Sequence, residues 1–379
     1  MTDLELLVGA DAFWRRARQD IAAARARLYV QAMTFEGDAA GRGVAEAIAA
    51  SAAADRRVLI DSYSRHVISD RFVHSPAALL DAGLRGEVRA TRAMWDQMAG
   101  AGAAVRLTNP AGPLFRRFPA RNHKKLIVAD DVAYIGGVNF SDHNFAWDDF
   151  MIRLDGREAA DLLAADFEAT FAGAPRAWRA SLGDLELLSL DGRSNAEGFG
   201  PILDLIDAAR EAIEVISPYL TEPFIGALAR AARRGFHVRL ITPLANNKPL
   251  VRDALLAAAK RADFEVRLLP EMSHLKAMLI DGEALVAGSS NFDFVSLAAE
   301  EEMMAVIARP ALIAAFRTRV LDPALERSVS AESHRPGRVA GWASGLALGL
   351  ASRLIGGAGA APRGAVEWRP SERDGRPLG

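Results

Sequence analysis

The chain has 379 residues, half of them hydrophobic and a quarter charged, enough for one large or two medium domains with a sizeable core. Its net charge of -2 excludes a global attraction for nucleic acid or anionic lipid, so any such contact must come from local patches. It contains no Cys, which excludes disulfides and thiolate metal sites and fits a reducing compartment.

From the start, Met1-Thr2-Asp3-Leu4-Glu5 has neither the basic region nor the apolar core of a signal peptide. Residues 21–27 read as a helix feeding a buried strand, Leu28 to Met33. A helix over about 41–54 leads to a strand at Arg57–Asp61, and Val105–Leu107 forms another. Strands at Val132–Ile135 and Phe150–Leu154 close this half. The same succession then recurs: residues 206–210 lead into Ile213–Ile216 and Pro218-Tyr219, and a helix spans about 223–234. Val238–Thr242, Val266–Leu268, Ala284–Ala287 and Met303–Ile307 are its further strands.

Strands alternating with helices predict an α/β fold of two tandem repeats, each a mixed β-sheet flanked by helices. The repeats are expected to pack about a pseudo-twofold axis, each supplying half of the chemistry. Gly183, Asp184, Asp191-Gly192 and Gly198 to Pro201 place the boundary near 180–198. This divides the chain into a first repeat (1–185), a second (186–330) and a C-terminal segment (331–379). No run of about twenty uncharged apolar residues appears, so no spanning helix is expected. In Val339 to Ile355, Trp342, Leu346, Leu350 and Leu354 would form one apolar stripe on a helix. That helix reads either as packed on the body or as an interfacial membrane contact. From Gly356 onward Gly, Pro, Arg and Ser suggest a mobile end.

The repeat carries a motif. His-x-Lys-x4-Asp occurs at His123-Lys125-Asp130 and at His274-Lys276-Asp281, although the chain holds only seven His and five Lys. Gly136-Gly137-Val138-Asn139 follows the first copy and Gly288-Ser289-Ser290-Asn291 the second. If residues 124–128 are strand-like, His123 and Lys125 project from one face, as do His274 and Lys276. With Asn139 and Asn291, the two lysines supply charged and amide donors for a small anion, and a phosphate diester suits them. Phosphoryl transfer needs its oxygen charge stabilised and its groups held in line. Two imidazoles supply a nucleophile and a general acid. Each His needs an orienting carboxylate: Asp149, at the start of the last strand of the first half, and Glu302, likewise in the second, are assigned that role. Asp130 and Asp281 read as structural more than catalytic.

Other residues have blander readings. His66, His74, His237 and His334 read as structural, while His143, close behind Asn139, also reads as a substrate contact. Arg116, Arg117, Arg121 and Lys124 form either a solvated basic loop or a headgroup contact. No metal is expected, because the carboxylates are dispersed and a central Lys repels cations.

The segment Asn122 to Asp130 through Gly136-Gly137-Val138-Asn139-Phe140-Ser141 resembles the phospholipase D superfamily, and bacterial cardiolipin synthases in particular. So do Pro218-Tyr219 and Ala231-Ala232-Arg233-Arg234-Gly235, and the resemblance runs from about residue 10 to about 325. It implies a metal-independent, two-step exchange without a cofactor, with His123 as nucleophile and His274 as acid. Transfer to an alcohol would make the protein a phosphatidyltransferase converting phosphatidylglycerol to cardiolipin; transfer to water would make it a hydrolase. Lipid-branch members often carry Asn two residues before the orienting Glu, where this chain has Glu300 followed by Glu301 and Glu302. The chain also lacks the N-terminal membrane helices of many cardiolipin synthases. It resembles the shorter kind, expected in the cytoplasm and peripheral at the inner face of the cell membrane, with a phospholipid substrate. A nuclease of the same superfamily is one alternative; the five Lys disfavour it, although 41 Arg leave room for a basic groove. A non-catalytic membrane-binding scaffold is another.

Overall fold

A computed structural model describes residues 2–334, 344–350, 352, 353, 355 and 363–369. The first half contains β1 (Asp3–Val8), β2 (Arg27–Ala32), β3 (Asp55–Asp61), β4 (Val67–Ile68), β5 (Arg71–Phe72) and β6 (Ala104–Thr108), then β7 (Arg121–Asn122), β8 (Leu126–Ala129), β9 (Val132–Gly136) and β10 (Phe150–Asp155). The second contains β11 (Trp178–Leu182), β12 (Leu185–Asp191), β13 (Ala212–Ile216), β14 (His237–Pro243), β15 (Glu265–Leu269), β16 (Ala277–Ile280), β17 (Ala284–Gly288), β18 (Glu300–Ile307) and β19 (Val329–Ser330). The last strand is β20 (Ala365–Glu367).

One sheet runs β1-β10-β9-β8-β2-β3-β6-β20, the other β11-β12-β18-β17-β16-β13-β14-β15-β19. From β1 and β12 onward the two orders match strand for strand, and the senses of the inner ladders match as well. β2–β3–β6 and β13–β14–β15 are parallel ladders. β8 and β9, like β16 and β17, join antiparallel. β20 on β6 and β19 on β15 are antiparallel additions at the outer edge. The repeat expected from sequence is thus present in both sheets, each mixed.

The inner strands are continuous apolar runs because both faces are covered: Leu126 to Ala129 and Ala277 to Ile280 are buried throughout. Helices supply the cover with one apolar stripe. In Ala39–Ala50 the buried residues are Gly41, Val44, Ala45 and Ile48, at helical spacing, and the Asp38 side chain caps the Gly41 amide. In Phe224–Arg233 they are Phe224, Ile225, Ala227, Leu228, Ala229 and Ala231.

The chain divides into two compact units, and the main division falls between Arg176 and Ala177, earlier than the expected 185–186. The glycine-rich stretch is not a linker at its start. β11 and β12 form a hairpin in the second unit, with Gly183 at φ 72° in its turn. Trp147–Met151, from the first half of the sequence, also belongs to the second unit. The C-terminal stretch differs from the mobile end expected. Ala365, Val366 and Glu367 pair with Thr108, Leu107 and Arg106, and Trp368 Nε1 donates to Asp96 at 2.9 Å. The Trp368 ring meets Trp95 edge-on, burying an indole that anchors the strand.

Residues 344–350 are helical, with Leu346 and Leu350 exposed; Trp342 and Leu354, the other members of the stripe, lie outside the described residues. Among the described residues no helix is long and apolar enough to cross a membrane.

Candidate active site

In the first unit, His123, Lys124 and Lys125 lie between β7 and β8 without regular structure, so the expected strand begins later, at Leu126. Lys125 Nζ donates to the His123 carbonyl at 2.6 Å. The flanking residues are pinned. Asp61, at the end of β3, accepts from Arg121 Nη1 at 2.7 Å and from the Asn122 amide at 2.6 Å. Asn122 Oδ1 accepts from Gln31 Nε2 at 2.7 Å. Lys124 Nζ reaches both oxygens of Asp166, at 2.9 and 2.8 Å, with both side chains fully buried. Anchors on either side thus fix the backbone of His123, itself buried. Asn139 is buried too: its Oδ1 accepts from the Thr34 amide at 3.1 Å and its Nδ2 donates to Asn144 at 3.4 Å.

The second unit repeats the lysine turn, with Lys276 Nζ donating to the His274 carbonyl at 2.5 Å. Its histidine is secured differently. The His274 amide donates to the Asp148 carbonyl at 2.8 Å, its Nδ1 bonds Asp149 Oδ2 at 2.8 Å, and its ring lies 5.6 Å from that of Trp147. Lys276 Nζ stands 3.9 Å from the same Asp149 oxygen. A carboxylate only accepts, so in neutral His274 Nδ1 carries the proton and the lone pair is on Nε2. The expectation that each carboxylate serves the histidine of its own half fails here. The carboxylate on His274 comes from the first half, because the chain lends Trp147–Met151 to the second unit.

Glu302 is fully buried and accepts from two hydroxyls, Ser289 and Ser296, the latter at 2.7 Å. Gly288 is required just before Ser289: a Cβ there would lie 2.3 Å from the Met303 carbonyl oxygen of β18. Asn291 is as buried as Asn139, but among the described residues its Oδ1 has no hydrogen-bond partner. Asp293 caps the amides of Val295 and Ser296. Burial, with the charge of Glu302, pushes its carboxyl up to about 6 against the pull of the Ser296 amide and Lys248.

The motif aspartates do the same work twice. Asp130 accepts from the amides of Arg25, Ala26 and Arg27 at 2.8, 2.8 and 2.9 Å, and Asp281 from those of Arg210, Glu211 and Ala212 at 2.9, 2.9 and 3.1 Å. Both sit in left-handed backbone, at φ 50° and 51°, in the turn after the motif strand, where Asp is tolerated. Each ties the start of the strand that pairs with its motif strand (β2 or β13) to that turn. Burial raises both carboxyls, but the three amides outweigh it and hold them below the usual range.

The basic cluster separates. Arg121 and Lys124 are buried and ion-paired, whereas Arg116 and Arg117 are exposed. His143 lies between Ser141 Oγ at 3.1 Å and Asn144 Nδ2 at 2.8 Å. Sequence reasoning missed Asp61, Asp166, Trp147 and Ser296, and gave Ser289, quoted in the second motif block, no role of its own. The repeat gave no signal for Asp166, since the residue matching its partner Lys124 is Leu275.

A family profile described as "Cardiolipin synthase, PLD-like domain" matches residues 17–171 and 202–321, one stretch in each repeat. The chain belongs to this family. It is 26% identical over 277 residues to cardiolipin synthase B of Escherichia coli (strain K12), covering 66% of this chain and 62% of that protein. With the minor cardiolipin synthase ClsB of Bacillus subtilis (strain 168) it shares 29% identity over 178 residues, covering 41% and 44%. The match thus spans less than two thirds of either relative. In fold it is similar to the crystal structure of phosphatidylserine synthase from Haemophilus influenzae Rd KW20, with a TM-score of 0.69 at 16% identity over 93% of this chain and 94% of the other.

Proposed function

We propose that this member of the phospholipase D-like family is a phosphatidyltransferase acting on phospholipid phosphodiesters, of the cardiolipin synthase type. The observation that carries the reading is His274, with Asp149 on Nδ1 and Lys276 on its carbonyl, in a chain that repeats the His-Lys turn at His123. Relatives named cardiolipin synthase point to the substrate class. His123 attacks the phosphorus of phosphatidylglycerol, forming an N–P bond as the P–O bond to glycerol breaks. His274 gives its Nε2 proton to the departing glycerol oxygen. The hydroxyl of a second phosphatidylglycerol then loses its proton to Nε2 and attacks, the N–P bond breaks, and cardiolipin leaves. Asp149 stabilises the imidazolium form of His274, and Glu302 is the second orienting carboxylate. Lys125, Lys276, Asn139 and Asn291 donate to the phosphoryl oxygens. The protein works at the cytoplasmic face of the cell membrane as a peripheral enzyme.

The test is incubation of purified protein with phosphatidylglycerol vesicles, following cardiolipin and released glycerol. Cardiolipin formation lost in His123→Ala and His274→Ala supports the reading, and phosphatidic acid as sole product makes the protein a hydrolase. Quenched in detergent at alkaline pH, where an N–P bond survives, His274→Ala should retain a labelled phosphatidyl group that His123→Ala lacks; labelling in the opposite variant reverses the two roles.

A further inference from the structure

The two repeats differ most in length at two connections. Between β3 and β6 the first repeat runs through residues 62–103, whereas β14 and β15 are joined by residues 244–264. Between β6 and β8 it runs through residues 109–125, against residues 270–276 from β15 to β16. The sheets are otherwise matched strand for strand, so these are additions to a shared frame.

The additions meet. The first contributes Tyr63, His66, Phe72 and His74 from a turn and the β4–β5 hairpin, and the second contributes Phe115 and Phe118. Phe115 lies 5.0 Å from His66, 5.6 Å from Phe72 and 5.8 Å from His74, ring centre to ring centre. Phe118 lies 5.8 Å from Tyr63 and 6.4 Å from Phe72. His66 Nδ1 and His74 Nε2 are 2.9 Å apart, joining the turn to the hairpin.

What this cluster displays is apolar and cationic. Leu114, just before Phe115, is 84% exposed, and both residues stand in left-handed backbone, at φ 54° and 56°. Non-glycine residues adopt that conformation rarely, and here it accompanies the packing of the Phe115 ring against His66, Phe72 and His74. The short helix Pro76–Leu80 buries Ala78 against Ile68 and Leu84 and turns Leu80, 85% exposed, to the opposite side. Arg116 and Arg117 are exposed beside Leu114, and Arg65 and Arg92 lie close enough to act electrostatically on both histidines.

We infer that the two additions form a docking surface for an anionic phospholipid bilayer. Leu80 and Leu114 enter the boundary between headgroups and acyl chains, and Arg116 and Arg117 pair with lipid phosphates. Aliphatic Leu114, exposed beside Arg116 and Arg117, suits the acyl boundary and the phosphates of anionic lipid, whereas nucleic acid would leave that leucine uncovered. The occupant follows from the proposed lipid substrate, but the surface is separate from the histidine chemistry.

The test is flotation of the full chain with phosphatidylcholine vesicles with and without phosphatidylglycerol. Leu80→Asp/Leu114→Asp should reduce partitioning onto anionic vesicles by about 10–100-fold. Arg116→Glu/Arg117→Glu should abolish the preference for phosphatidylglycerol. Both should still turn over monomeric short-chain phosphatidylglycerol, showing that they fold; Leu80→Ser/Leu114→Ser reads the same surface should the aspartates unfold the chain. Unchanged flotation of the leucine variant overturns the inference. So does loss of flotation in Leu346→Asp/Leu350→Asp while the patch variants bind normally. A wild-type protein that floats through this patch yet converts no phospholipid would sink the proposed function and leave the docking surface standing.

Discussion

Asp149 Oδ2 and His274 Nδ1 are 2.8 Å apart although 125 residues separate them in the chain. The bond fixes the ring's tautomer and stabilises its protonated form, the two services an acid–base histidine needs. Asp149→Asn keeps the shape but allows the wrong tautomer. It should lower kcat by about 10²–10⁴-fold while KM changes little. Steady-state kinetics on phosphatidylglycerol reads the split, and a variant that raises KM alone would make Asp149 a binding residue.

The Lys124–Asp166 pair predicts stability, not catalysis. Both side chains are fully buried and each satisfies the other. Asp166→Asn removes the paired carboxylate from a buried ammonium and should cost about 3–5 kcal/mol in urea unfolding. Lys124→Met/Asp166→Leu removes both charges and should recover most of that loss. Recovery without normal turnover would show that the pair also sets the position of His123.

The motif aspartates titrate in a known direction. Their folded carboxyls are held below the ordinary range, so the stability they contribute is present above the unfolded carboxylate pKa and is lost as pH falls through the folded value. Asp130→Asn or Asp281→Asn should destabilise by about 1–3 kcal/mol at pH 7. The gap from wild type should close on acidification. A gap that persists below pH 3 in thermal melts would place the effect in the left-handed turn and not in the charge.

Much of this was legible in the sequence, for identifiable reasons. The repeat shows because the inner strands of both halves are unbroken apolar runs, and the motif shows because His and Lys are scarce. The partner of His274 was not legible, since distance along the chain suggested Glu302 and only the fold brings Trp147–Met151 to that ring. Nor was β20, a three-residue strand whose partner β6 lies far back in the chain. Lys124 looked like one more cation of a basic loop until Asp166, from the helix Arg157–Phe171, appeared beside it.

Glu36 gives the clearest pH test. Its Oε2 accepts from the Ser69 amide at 3.1 Å, tying the first addition to the chain just beyond β2. Burial, joined by the charges of Asp38, Asp70 and Glu87, pushes the carboxyl up to about 8 against the pull of that amide. The folded state therefore keeps a proton that the unfolded chain releases near its ordinary value. Stability falls as pH rises from about 4.5 to about 8, because there the native state binds more protons than the unfolded state. Glu36→Gln retains an acceptor for Ser69 and cannot ionise. Its melting temperature should match wild type near pH 4 and exceed it by a few degrees at pH 9. Parallel melting curves across that range would mean that Glu36 ionises freely and that water reaches its carboxylate.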